Sequence, residues 1–417
     1  MSDSPAQLVE HFFRHESARL VAVLTRAYGV RRLEMVEDVV QASMMQAMNS
    51  WKHDNLPDNP TAWIHRVARN RLHDLLRREH VHQRAVAFSG MMSDIMDELL
   101  DDWLDEQHLP DNLLRMMFVC ANPLLDPPTQ IALILKTLCG FSLAEIGRGL
   151  LKSPESIKKR LQRGRKLLAE HNVELELPAP AELQQRLEPV HNALYLLFNE
   201  GYSTSGGSDP IRDDLCEEAA RLCHILCEHA VLSTPATRAL LALMLFHGAR
   251  LETRRDADGH LLLLHEQDRQ SWDHKLIHVA RHWLSQSECD SVSRFHLEAA
   301  IAWQHCCAQS VATTDWSTIV RLYDRLLAIT QSPIHGLNRA IAQGEAGQWE
   351  EALRQLDVLQ QRPELSGYYL LACARGRLLG KAGRPDDARR CFATALQQAT
   401  AAHDRAIIQR HIDDLPQ

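Results

Sequence analysis

Apolar residues along this chain recur at spacings of three and four, the signature of helices with one buried face. In "SPESIKKRLQRGRKLL", Ile157, Leu161, Leu167 and Leu168 fall close to one face, while Lys158, Lys159, Gln162, Arg163 and Arg165 fall mainly elsewhere. Ser153 suits the N-cap and Pro154 the first helical position, where a missing N–H is no loss. Upstream, "FSLAEIGRGL" predicts a shorter helix capped by Ser142, with Leu143, Ile146 and Leu150 apolar. "GLLKS" is a short connector between them. Helix, tight turn and basic helix make a helix-turn-helix pattern whose second helix suits a major groove. An ordinary hairpin with a solvated basic face has the same pattern. Helical periodicity also runs from about residue 8 to 84 and from about 173 to the end. Strand-like alternation is scarce, "GHLLLLHEQD" after "RDADG" being the best hairpin candidate. The expectation is an all-α protein.

A weak repeat lies near 335–400. "NRAIAQGEAGQWEEALRQLDVL" aligns with "ARGRLLGKAGRPDDARRCFATAL", matching Gly347 to Gly383 and Ala352 to Ala388 at an offset of 36. That is close to the ~34-residue period of tetratricopeptide (TPR) helical hairpins, in which small residues let paired helices approach. Two copies are fewer than an independent array needs, so the preceding helices must supply the missing packing.

Charge divides the chain further. The 417 residues carry a formal net charge of −8, yet residues 142–170 are net +5 and residues 63–84 net +4. Between them, residues 91–111 hold eight acidic side chains and no Lys or Arg. Such a balance argues against a surface coated for nucleic acid and allows basic patches on particular faces. "ELELPAPAEL" reads as a hinge, because its prolines stop the preceding helix. No run has the length of a membrane span, and the N-terminal residues show no signal-peptide pattern. The ten cysteines are scattered, as expected of reduced thiols in a cytoplasm rather than a secreted disulfide framework. Cys223, His224, Cys227 and His229 resemble a metal cluster on paper. Their Leu-rich helical setting favours a buried structural reading, and neither metal nor cofactor is expected. Phosphate-cradling Gly-Lys-Ser/Thr loops and Gly-x-Ser-x-Gly elbows are absent. "NEGYSTSGGSDP" is a polar loop.

At this point the chain resembles an extracytoplasmic-function (ECF) RNA polymerase sigma factor, of the subgroup with a C-terminal TPR-like extension. "VEDVVQASMMQAMNSW" resembles sigma region 2.2, "NPTAWIHRVARNRLHDLLRR" regions 2.3 and 2.4, and "FSLAEIGRGLLKSPESIKKRLQRGRKLL" region 4.2. "ALYLLFNEGYSTSGG", "RRDADGHLLLLHEQDRQSWD" and "DWSTIVRLYDRLL" resemble stretches of the extension. One departure is "FVCANPLL", which stands where the subgroup often has a Cys-Cys-His run.

The resemblance implies sigma region 2 at 1–85, an acidic linker at 86–110, region 4 at 111–172 and a helical extension at 173–417. It implies a non-enzymatic role: positioning core RNA polymerase on promoter DNA and helping to open the duplex. Opening needs aromatic and basic groups that hold unstacked bases and phosphates. Trp63, Arg66, Arg69, Asn70, Arg71, Arg77 and Arg78 supply them for the −10 element, although Trp63 also suits a core position. Asp74 is a candidate helix-surface partner of Arg78. Ser156, Lys158, Lys159, Gln162, Arg163 and Arg165 are the −35 candidates. Region 2.2 is expected to dock on the β′ clamp helices through Glu37, Asp38 and Gln41, with Val40 and Met44 as apolar neighbours, and region 4 on the β flap. The acidic linker would thread a basic channel later used by RNA, or cover the DNA-binding faces. A protein or small-molecule regulator of the extension is a further partner class, and no membrane partner is expected. Two rivals stay open: a different helix-turn-helix regulator with a helical sensor, and a TPR adaptor that binds proteins alone.

Overall fold

A computed structural model describes residues 5–51, 57–82, 109–150, 152–204, 211–256, 260–399 and 402–415. These form nineteen α-helices, and the only extended pairing among them is one isolated antiparallel bridge, Arg255 with Leu261. The hairpin candidate thus shrinks to a single bridge. The acidic stretch lies outside the described residues as far as 108, as does 205–210 of the polar loop. By contact, the chain forms two compact units, residues 1–200 with 221–232, and residues 201–220 with 233–417.

The first unit starts with α1 (Pro5–Tyr28), α2 (Leu33–Ser50) and α3 (Pro60–His82). Leu20, Val23, Leu24, Val36, Val40, Ile64, Ala68 and Leu72 make the core of this part. Next come α4 (Leu109–Cys120) and α5 (Pro127–Thr137), then the helix-turn-helix pair α6 (Leu143–Gly149) and α7 (Pro154–Glu170). The caps fall where the sequence puts them. Ser142 accepts from the Glu145 amide while the Glu145 carboxylate takes the Ser142 amide, a reciprocal capping box. Ser153 accepts from the Ser156 amide at 3.3 Å, and Pro154 opens the helix. The turn between the helices needs Gly147, because a Cβ there would lie 2.6 Å from the Lys152 carbonyl oxygen.

The unit continues past the hinge prolines through α8 (Pro180–Gln185) and into α9 (Leu187–Tyr202). Leu183, Leu187, Val190, Leu194 and Leu197 are buried, and Arg186 donates to the Phe118 carbonyl at 3.3 Å. The prolines at 178 and 180 therefore lie inside the compact unit: α7 has already stopped at Glu170, and Pro180 opens α8.

In the second unit, α11 (Pro235–Gly248), α12 (His274–Ser285) and α13 (Arg294–Cys307) pack together, followed by α14 (Trp316–Thr330) and the hairpins of the repeat. α10 (Asp213–Glu228) precedes them in the chain. The hairpins are α15 (Pro333–Glu345) with α16 (Trp349–Gln360), and α17 (Tyr369–Lys381) with α18 (Pro385–Gln398). The chain closes with α19 (Ala402–Asp413). The offset of 36 is visible as geometry. Gly347 and Gly383 both take positive φ, 82° and 74°, which only glycine adopts cheaply. The next amides, of Gln348 and Arg384, bond back to the carbonyls of Gln343 and Leu379. Ala352 and Ala388 are both fully buried. Leu337, Leu356 and Leu378 fill the space between the hairpins.

Candidate nucleic-acid interface

On α7, Ile157, Leu161, Gly164 and Leu168 seat the helix on its neighbours. Lys158, Lys159, Gln162, Arg163 and Lys166 are exposed. These five positions share one face at helical spacing, so the helix offers solvent a cationic strip with one amide in it. Ser156 is half-buried in the first turn. Lys166 was absent from the sequence candidates, though its spacing from Lys158 and Gln162 would have placed it there.

Arg165 does not belong to that strip. It turns inward and meets the Glu37 carboxylate at 2.5 Å, with both side chains 13% exposed. Thr137 donates its hydroxyl to the same carboxylate at 2.6 Å. Burial holds the Glu37 carboxyl above its usual range, against the opposing pull of Arg165, Thr137 and Lys136. The Cys120 thiol nearby is pushed up as well, chiefly by burial and then by Glu37. Thus a polymerase-side candidate and a DNA-side candidate occupy each other inside one compact unit. A carboxylate from a segment distant in sequence meets the inward-turned guanidinium here, so each charge offsets the cost of burying the other.

The region 2.2 candidates divide similarly. Asp38 and Gln41 are exposed, but Val40 (1% exposed) and Met44 (7%) lie in the core. Those two positions thus lie inside the unit, on a different face of α2 from the solvent-facing Asp38 and Gln41. Met45 (57%) and Met48 (62%) are the apolar side chains that α2 exposes instead. Their place beside Gln41 at helical spacing could have revealed them.

On α3, Arg66, Asn70, Arg71, Arg77 and Arg78 are exposed, and Trp63 and Arg69 are half-buried. Trp63 and Trp51 pack edge to face, with ring centroids 5.5 Å apart, and both are half-buried. Arg71 donates to Gln46 at 2.7 Å. Asp74 and Arg78 make no ion pair; each stands in solvent, where such a pair is worth little. Elsewhere, Cys223 and Cys227 are buried while His224 pairs with Glu228 at 3.3 Å, so the paper cluster does not converge. Among the described residues, no group of three His, Cys, Asp or Glu is placed to hold a metal ion. Nor is any described helix long and apolar enough to cross a membrane.

Three known families match parts of the chain: Sigma-70 region 2 at residues 12–81, Sigma-70, region 4 at 116–168, and a family of unknown function (DUF6596) at 186–288. An uncharacterized protein of Rhizobium meliloti is 34% identical over 404 residues, 95% of each chain. The ECF RNA polymerase sigma factor SigF of Caulobacter vibrioides is 32% identical over 160 residues, covering 37% of this chain and 83% of that protein. The ECF RNA polymerase sigma factor SigX of Bacillus subtilis is 26% identical over 147 residues, 34% of this chain and 74% of that one. No solved structure matches.

Proposed function

The chain belongs to the extracytoplasmic-function RNA polymerase sigma factors, and we propose that it recruits core polymerase to promoters that α3 reads at −10 and α7 at −35. The observation that carries the −35 assignment is the exposed strip Lys158, Lys159, Gln162, Arg163 and Lys166 on a capped, well-seated helix. Gln162 and Arg163 are the base readers, each good bidentate contact discriminating by about 1–3 kcal/mol. The lysines hold phosphates and carry no sequence information. On α3, Arg66, Asn70, Arg77 and Arg78 take the displaced strand, and Trp63 offers its ring for stacking. Asp38, Gln41, Met45 and Met48 form the polymerase-facing side of α2.

A −10 and a −35 element lie about 25 base pairs apart, roughly 85 Å along the duplex at 3.4 Å per step. Arg165 and Glu37 touch. The reading therefore requires the first unit to open before both elements are engaged at once, and the residues beyond about 173 modulate that step or polymerase binding.

Run-off transcription with core polymerase tests the reading. The full chain should direct specific initiation, and a fragment ending at Leu232, which keeps every segment of the first unit, should differ from it in yield or polymerase affinity. No initiation by either protein would sink the sigma reading. Equal yield and affinity at matched salt would make the extension a passive appendage.

A further inference from the structure

The second unit buries positive charge without carboxylates to neutralise it. Arg250 and Arg269 are 7% and 6% exposed, and Arg254 is half-buried beside them. Among the described residues none of the three has an ion-pair partner. Their hydrogen bonds go elsewhere. Arg250 reaches the Gln267 side chain at 3.4 Å, Arg254 the Tyr202 carbonyl, and Arg269 the carbonyls of His305 and Ala308 at 2.8 and 3.1 Å. The rest of their surroundings is aromatic. The guanidinium carbons of Arg250 and Arg269 lie 5.1 and 5.3 Å from the centroid of the buried Trp272 ring, and that of Arg254 lies 3.8 Å from the Tyr202 ring.

Part of this is structural. Tyr202 ends α9, and His305 and Ala308 close α13, so Arg254 and Arg269 cap two helix C-termini. Each such end carries about half a negative charge. Arg254 lies toward Cys216 and the carboxylates around it, whereas Arg250 and Arg269, against the one helix end that Arg269 caps, leave an excess of roughly one and a half positive charges. The neighbouring imidazoles add none near neutrality. Burial first, then the arginines, holds His247 and His305 at about 3.

Hydrogen-bond capacity is left over in the same place. Nη2 of Arg269 and Nε1 of Trp272 are buried without an acceptor. Both are donors, and leaving buried donors unsatisfied is costly. Cation–π contact offsets some of the cost of Arg250 and Arg269 but accepts no hydrogen bond. One ligand chemistry answers both the charge and the donors: an oxyanion with about one and a half to two negative charges, which a phosphate group has and a single carboxylate lacks.

We propose that Arg250, Arg269 and Trp272 form a binding site for a phosphate group, free or carried by a small metabolite. The site lies partly in the 186–288 segment whose family has no assigned function. Its occupant would add the missing counter-charge to the core of the second unit. Binding needs neither polymerase nor DNA, so it stands apart from the sigma reading.

Isothermal titration of the full-length chain, in chloride buffer, tests this with inorganic phosphate, a simple phosphomonoester and succinate in separate arms. Saturable one-to-one binding of phosphate or the phosphomonoester, with succinate at least tenfold weaker, is expected. The tighter of the first two identifies the source of the phosphate. At a hundredfold excess over its dissociation constant the ligand should raise the unfolding temperature by about 5 °C or more. Arg269→Gln should weaken binding at least tenfold and Arg250→Met should abolish it; if the second fails to fold, the first still decides. No saturable binding, a thermal response equal to that of sodium chloride at the same ionic strength, equal binding of succinate, or full affinity in Arg269→Gln would overturn the proposal.

Discussion

Arg165 in the first unit and Arg269 in the second are both turned away from solvent, and the protein holds them by different chemistry. Arg165 meets a carboxylate, Glu37, that is buried with it and fixed from another side by Thr137. Arg269 meets two backbone carbonyls at a helix end and the face of Trp272. In the first case two full charges depend on each other. In the second a single charge is spread over dipoles and a ring, and no opposite charge depends on it. A buried arginine in an ion pair therefore couples two segments, while removing one held on dipoles leaves no opposite charge stranded.

The sharpest way to break this comparison is to remove each cation. Arg165→Met should destabilise the first unit by about 3–5 kcal/mol in urea unfolding, because it strands the buried Glu37. Arg165→Met with Glu37→Leu should recover most of that loss, since no charge is left behind. Arg250→Met in the second unit strands nothing charged and should cost less than about 2 kcal/mol. Equal losses from Arg165→Met and Arg250→Met would mean that the Glu37 pair is not the clasp its geometry suggests.

Acidity should separate the units next, on the order of a few kcal/mol. His247 and His305 fold with values near 3 against an ordinary 6.5. Their contribution is whole above pH 6.5 and is lost as pH falls from there toward 3. Glu37 is shifted upward, so its contribution is whole below the ordinary 4.5 and is lost as pH rises through the raised value. Between about pH 4.5 and 6.5 the two contributions run in opposite directions. Hydrogen exchange read separately for α7 and for α11–α13 should show protection moving oppositely across that window; parallel changes would refute the assignment.

A smaller effect sits in the turn ahead of Arg165. Gly147→Ala forces a methyl against the Lys152 carbonyl. It should cost about 1–3 kcal/mol and loosen the angle between α6 and α7, weakening −35 binding of every sequence alike. A sequence-selective loss would instead point to a base contact at that position.

The smallest change in stability, with a clear change in binding, is expected on the exposed strip. Lys158→Ala and Lys159→Ala should alter folding by no more than about 0.5 kcal/mol. Each should reduce the salt slope of promoter binding by about 0.9 and leave sequence preference unchanged. An unchanged slope in both would remove these lysines from the phosphate contacts and leave α7 a solvated face.

The amino-acid sequence by itself determined the helices, the caps at Ser142 and Ser153, the helix-turn-helix pair, the two turn glycines of the repeat and the confinement of positive charge to two stretches. All of these follow from local periodicity, from hydrogen bonds within four residues, or from counting charges. Tertiary structure alone decided which charges face solvent. Arg165 reads like its neighbours Arg163 and Lys166 along the chain, yet it is taken out of the strip by a carboxylate on α2. Val40 and Met44 go to the core while Met45 and Met48 stay outside. The gathering of Arg250, Arg269 and Trp272 was equally hidden. Nothing in composition marks three donors that come together only when a helix end, a loop and an aromatic ring pack into one place. Burial and long-range pairing depend on what arrives from elsewhere in the chain, and no local pattern encodes that.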